Sequence, residues 1–260
     1  MEGGESRGTR FDVPGAVWTL VRTDFKVRYH GTIMGFFWAL LKPLMMLGVL
    51  LVVFSFIFGS TPNYATDLVI GIFLYEFFSE STKTGLTSLH QKGYLINRSC
   101  FPRWIFAVTA ASNALITLLA FSIGIMIFLI VIGRPPSLGR FALYLVYMAH
   151  YVAIVTGFSL GTSVLFVRYR DLNQIWDVLI QMGFFVAPVI YPLGVLPEKY
   201  HLLLYVWPPT PILEFSRAVL TGEAIPSPTG HLLLTGLAGG CLALGGVTYR
   251  LLAPRAAEYL

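Results

Sequence analysis

Ionisable side chains are scarce in this sequence: 18 Lys and Arg and 13 Asp and Glu among 260 residues, 12% in all. A soluble globular domain carries roughly 25%, so an ordinary water-exposed surface is excluded. Cysteine is nearly absent too. Cys100 lies between two apolar runs and Cys241 inside the last of them, so both are expected as free thiols. No GxxxxGK followed by Ser or Thr occurs, which removes the usual cradle for ATP phosphates. HExxH and CxxC are missing and the five histidines are widely spaced, so a metal site is not expected. The first ten residues are polar and glycine-rich, and no short apolar stretch with a cleavage site follows them. A removable leader is therefore not expected.

What the chain has in excess is apolar length. Hydrophobic residues make up 56% of it, and a helix needs about 20 of them to cross a hydrocarbon layer roughly 30 Å thick. Six segments are expected to cross: 33–58, 67–82, 105–132, 141–167, 178–196 and 231–252. The second carries Glu76 and Glu80, the fifth is interrupted by Pro188 and Pro192, and the sixth is rich in glycine. The fold class is thus an all-α integral membrane protein forming one domain over 1–260.

Six crossings put both termini on one side, and basic residues mark the cytoplasmic side. With the N-terminus inside, 14 of the 18 Lys and Arg fall on inner segments, and only Arg134, Arg140, Lys199 and Arg217 fall outside. Topology therefore explains the net charge of +5 without a nucleic-acid partner.

Three connecting stretches are unlike plain loops. In 14–30, Pro14 starts a helix whose Val17, Trp18, Val21 and Phe25 share one face while Arg22 and Lys26 sit elsewhere, the pattern of a helix lying in the headgroup plane. Segment 83–103, the longest inner connection, mixes Leu86, Leu89, Leu95 and Ile96 with Lys92 and Arg98. Outside, 194–227 holds two apolar runs too short to span, separated by Pro208, Pro209 and Pro211. A pair of short helices dipping into the outer leaflet is expected there.

Single motifs are less telling. Gly157-Phe-Ser-Leu-Gly161 matches GxSxG, which raises a membrane hydrolase using Ser159. The elbow needs a strand-to-helix turn, and this stretch lies inside a long apolar run, so a helix-packing notch is the simpler account. Gly236 and Gly240 form a second small-residue pair with packing or flexibility as the expected role. Glu76 and Glu80 are one turn apart within an apolar helix, which suggests either a function or a partner, with Lys83 as one candidate.

Four stretches together carry a family resemblance. They are Arg22-Thr-Asp-Phe-Lys-Val-Arg-Tyr-His-Gly-Thr-Ile-Met-Gly-Phe-Phe-Trp-Ala-Leu-Leu-Lys-Pro-Leu44, Tyr75-Glu-Phe-Phe-Ser-Glu80, Leu95-Ile-Asn-Arg-Ser-Cys-Phe-Pro-Arg103, and Arg168-Tyr-Arg-Asp-Leu-Asn-Gln-Ile-Trp176 with Ala187-Pro-Val-Ile-Tyr-Pro192. In this order they resemble type-2 ABC permeases that export O-antigen, capsule or teichoic acid chains. One departure is Trp207-Pro208, where such permeases commonly have Asn-Pro.

The resemblance implies a non-enzymatic subunit of the bacterial inner membrane, with both termini cytoplasmic. It would work as a homodimer with two copies of a separate ATPase that binds ATP and Mg. The cargo would be a lipid-linked polysaccharide, O-antigen first and teichoic acid or capsule next; a type-2 permease for a drug or lipid is the alternative. Docking on the ATPase falls to Arg22, Lys26, Leu89, Lys92, Arg98 and Arg103. The channel or the carrier's pyrophosphate falls to Arg28, Trp38, Phe54, Phe58, Glu76, Glu80, Phe184 and Tyr191. Tyr205, Trp207 and Phe215 fall to an outer gate.

Overall fold

The computed structural model describes residue 15 and residues 18–23, 37–58, 63–91 and 104–256. Among these, every regular element is helical: α1 (Phe37–Phe58), α2 (Tyr64–Gln91), α3 (Trp104–Val131), α4 (Leu138–Arg168), α5 (Leu172–Val186), α6 (His201–Tyr205), α7 (Pro209–Thr221) and α8 (Pro228–Ala256). Two single 3-10 turns, Leu193–Val195 and Glu198–Tyr200, lie between α5 and α6.

Four helices are long and apolar enough to cross a membrane: Leu40–Phe58, Ala111–Val131, Leu138–Arg168 and Pro228–Pro254. They match four of the six expected segments. The other two differ from expectation in instructive ways.

Helix α2 runs on to Gln91, nine residues past the expected end, so 83–91 continues a helix rather than opening a loop. Its charges lower its hydropathy, yet 19 of its 28 residues are buried, which makes it the central post of the bundle. Neighbouring helices shield it from lipid, and that is where polar residues at membrane depth belong.

Helix α5 begins earlier than expected and stops at Val186. The cause is Pro188. A proline clashes with a helical residue before it, and Ala187 is accordingly extended, with φ −65° and ψ 141°. In 194–227 two short helices are present, α6 and α7, with Pro208 between them. Pro209 and Pro211 sit in the first turn of α7, where a missing N–H costs little. Helix α7 ends at Gly222, whose φ of 89° favours glycine.

Helix α4 binds the bundle with a ladder of tyrosines. Tyr144, Tyr147 and Tyr151 recur at helical spacing and are fully buried, so each hydroxyl needs a partner. Tyr144 meets Ser122 of α3 at 2.8 Å, Tyr147 meets His231 of α8 at 2.8 Å, and Tyr151 donates to the Leu74 carbonyl of α2 at 3.0 Å.

The α4–α8 contact depends on the expected glycine notch. A Cβ on Gly157 would lie 2.4 Å from the Cys241 backbone, and one on Gly245 would lie 1.8 Å from the Gly157 carbonyl oxygen. Gly236 and Gly240 differ: a Cβ on either meets no described atom within 4 Å, so packing within the protomer does not require them.

Candidate functional site

The two ends of the bundle are built differently. At the end where α2, α4 and α8 finish, Leu89, Val164, Val167 and Ala253 form a small apolar cluster, with Leu20 of the N-terminal helical segment packed on it. Val21 is buried, while Trp18 and Arg22 are exposed. The segment thus lies across the bundle end with Arg22 turned outward. Leu89 is a correction: at 3% exposure it fastens α2 to its neighbours and is not displayed to a partner. Lys26, Arg28, Lys92, Arg98 and Arg103 lie outside the described residues.

Mid-bundle, charges pair between helices. Lys42 of α1 bonds Glu76 of α2, and Lys83 of α2 bonds Asp177 of α5 at 2.6 Å. Lys83 therefore reaches across to another helix rather than pairing only along its own. Glu80 is half-buried on the same helix.

Aromatic side chains complete the α2–α5 contact. Trp176 stacks on Phe158 with centroids 4.1 Å apart, its Nε1 donates to Thr82 Oγ1 at 3.0 Å, and its ring lies 6.1 Å from Trp207. Trp207 also meets Phe78 edge-on at 5.9 Å and lies over Gly183, where a Cβ would sit 2.3 Å from the indole. Phe184 packs edge-on against Tyr75 at 5.3 Å, and the Tyr75 hydroxyl donates to the Ile180 carbonyl at 2.6 Å. Phe184 and Trp207 thus join one aromatic group with Phe78 and Trp176.

The other expected channel residues have the following neighbours within the chain. Phe54 stacks on Phe58, whose ring in turn meets Tyr64 at a tilt of 38°, in the α1–α2 contact. Trp38 is half exposed on the bare side of α1. The Tyr191 hydroxyl donates to the Phe185 and Val186 carbonyls, closing the end of α5.

The opposite end is organised by a residue that the sequence marks only as one of four outer cations. Arg217, 5% exposed, lies in α7. Its Nε donates to the Asp67 carbonyl at 3.0 Å, Nη1 to the Pro188 carbonyl and to Glu214 Oε1 at 2.9 Å, and Nη2 to the Val189 carbonyl at 3.0 Å. Gly71 gives the room, since a Cβ there would lie 2.6 Å from Nη2. One side chain thus ties α7 to the start of α2 and to the turn after α5. The visible signal was an arginine inside the apolar run 212–220.

The remaining gate candidates flank this clamp. Phe215 is buried against Tyr147 and His231, at 5.6 and 5.8 Å. Tyr205 lines a cavity between α6, α7 and α8.

Ser159 and His150, the residues that the hydrolase alternative would need, bond to separate partners. Ser159 Oγ donates to the Val155 carbonyl at 2.7 Å and abuts Gly85, where a Cβ would lie 1.9 Å from it. His150 is engaged with the Val146 carbonyl and Thr235 of α8. Ser159 is therefore a packing residue between α2 and α4, with no activating base supplied by His150.

Known proteins were compared with the chain. It is 28% identical to an O-antigen export system permease protein of Klebsiella pneumoniae over 190 residues, 71% of this chain and 72% of that one. It is 24% identical to a protein of the same name from Myxococcus xanthus over 216 residues, 82% of each chain. With the polysialic acid transport protein of Escherichia coli it shares 23% identity over 205 residues, 76% of this chain and 79% of that one. The family profile described as ABC-2 type transporter matches residues 15–221, a stretch that takes in the N-terminal segment, the bundle from α1 to α5, and the Arg217 clamp. The chain belongs to the ABC-2 type transporter family.

Proposed function

We propose that this chain is the membrane subunit of an ATP-driven exporter of a lipid-linked polysaccharide, with O-antigen as the first substrate class and capsule or teichoic acid next. The observation that carries the proposal is the similarity, over 71–82% of the chain, to permeases named for O-antigen and polysialic acid export.

In this account α2 crosses beside the four apolar helices, since its 28 residues measure about 42 Å. Helix α5 with the 187–221 segment makes the sixth passage, entering from inside and ending in the short gate helices. The termini face the cytoplasm of a bacterial inner membrane, in keeping with the bias of basic residues.

Exposed apolar faces support a homodimer. On α1, Met45, Val49, Val52 and Phe56 are bare, and on α5 so are Ile175, Val178, Met182 and Phe185. Pairing two copies across these faces would enclose a channel near Trp38, with the Lys42–Glu76 pair beside it. The ATPase, in two copies carrying ATP and Mg, would dock on Arg22, Lys26, Lys92, Arg98 and Arg103. Arg28, Arg98 and Arg103 would also meet the carrier's pyrophosphate.

Deleting the gene should abolish surface polymer and leave lipid-linked polymer inside the cell. Wild-type chain should restore the surface polymer, and the Arg98→Glu, Arg103→Glu double variant should give under about a tenth of it, since reversed charges repel both phosphate and an acidic docking face. Normal surface polymer in the deletion strain would overturn the export proposal. Full rescue by the double variant would overturn the roles of the two arginines.

A further inference from the structure

Beside the Arg217 clamp lies a cavity of about 930 Å³ opening between α6, α7 and α8. That is near the upper end of ordinary small-ligand pockets, roughly 300–1,000 Å³. Its two sides differ in chemistry. Leu202 and Val206 on one side and Leu233 and Leu237 on the other give an apolar wall. Leu202, Val206 and Leu233 are each more than 70% exposed, so the wall continues onto the surface of α8, which is long enough to cross the bilayer. Three carboxylates line it, Asp67 and Glu214 beside the single Arg217 guanidinium and Glu223 at the rim.

That guanidinium has little left to give. Its donors go to three backbone carbonyls and one Glu214 oxygen. Asp67 Oδ1 is buried and has no hydrogen-bond partner among the described residues. Glu223 is exposed at the rim. The cavity therefore offers acceptors at its floor, a carboxylate at its rim and hydrocarbon along its wall.

We propose that this cavity binds a phospholipid whose headgroup carries a primary ammonium, drawn from the leaflet at this end of the bundle. The ammonium donates to Asp67 and Glu223 while an acyl chain lies along Leu202, Leu233 and Leu237. A soluble cation would leave the apolar wall bare. An anionic lipid would bring its charge against the carboxylates, and a choline headgroup has no N–H to donate. The bound lipid would brace α7 against α8, whatever polymer the protein moves.

The test is native mass spectrometry of the full chain, purified from membranes and exchanged into an equal mixture of dioleoyl phosphatidylethanolamine, phosphatidylcholine and phosphatidylglycerol. Phosphatidylethanolamine should be retained about five-fold or more over each competitor, as expected for a charge-assisted hydrogen bond. Glu223→Gln, which leaves the Arg217 clamp untouched, should cut that preference by at least about half. Leu233→Trp, on the lipid-facing side of α8, should lower retention of every lipid. Equal retention of the three lipids, retention of a glycan in place of lipid, or an unchanged preference in Glu223→Gln would overturn the proposal.

Discussion

Arg217→Met is expected to abolish export and destabilise the folded chain by about 3–5 kcal/mol, because deleting one member of a buried charged network strands the others. Three backbone carbonyls and the Glu214 carboxylate would lose their donor. Methionine keeps the length and apolar stem, so the loss would come from the missing donors rather than from a void. Arg217→Lys should recover only part of the function, since one ammonium cannot reproduce a planar fork aimed at four acceptors. Lys199→Met, an exposed cation at the same end, should behave as wild type. Thermal unfolding in detergent and surface polymer, measured on the same three variants, check the result. An Arg217→Met protein with unchanged stability would remove the clamp from the account.

The second large effect is expected at Gly157. In Gly157→Leu the new Cβ alone would meet the Cys241 backbone at 2.4 Å, and backbone cannot swing aside as a side chain can. Helices α4 and α8 would have to separate along their contact. Within a bilayer this loss is not offset by hydrophobic association, because lipid tails are as apolar as leucine. Membrane levels of correctly folded protein should fall to under about a fifth, in line with overpacking costs of several kcal/mol. Gly236→Leu, where a Cβ meets no described atom within 4 Å, should accumulate normally. Fluorescence-detected gel filtration of tagged variants separates the two outcomes. Equal monodisperse peaks for both would show that the glycine notch is dispensable.

Helices α1, α3, α4 and α8 were legible in the sequence because charge-poor apolar runs of spanning length leave few alternatives in a bilayer. The extent of α2 was not. Glu76 and Lys83 read as polar interruptions until Lys42 and Asp177, distant along the chain, are brought to them. No local pattern announces a partner that only tertiary packing supplies.

Prolines are legible as breaks but not as to which kind. Pro188 stops α5 at Val186 through its clash with the residue before it, whereas Pro209 and Pro211 open α7, where a missing N–H costs little. Sequence alone could not say which place each proline would take.

The candidate site was legible as segments more than as residues. Positions 14–30 and 194–227 stood out by composition, and the described parts form helical pieces at opposite ends of the bundle. The individual roles shifted. Tyr191 caps α5, Phe54 and Phe58 fill an interhelical contact, and Leu89 is buried. Arg217, whose donors organise the end opposite the N-terminal segment, was marked only by its charge inside an apolar run.

The most direct test of the central claim uses inverted membrane vesicles that contain the chain and its ATPase, supplied with fluorescent lipid-linked O-antigen oligosaccharide on their outer, cytoplasmic face. The account predicts that label becomes protected from added glycosidase only when ATP and Mg are present, and that Arg217→Met vesicles show no protection. Protection that develops equally without ATP, or that does not require this chain, would contradict it.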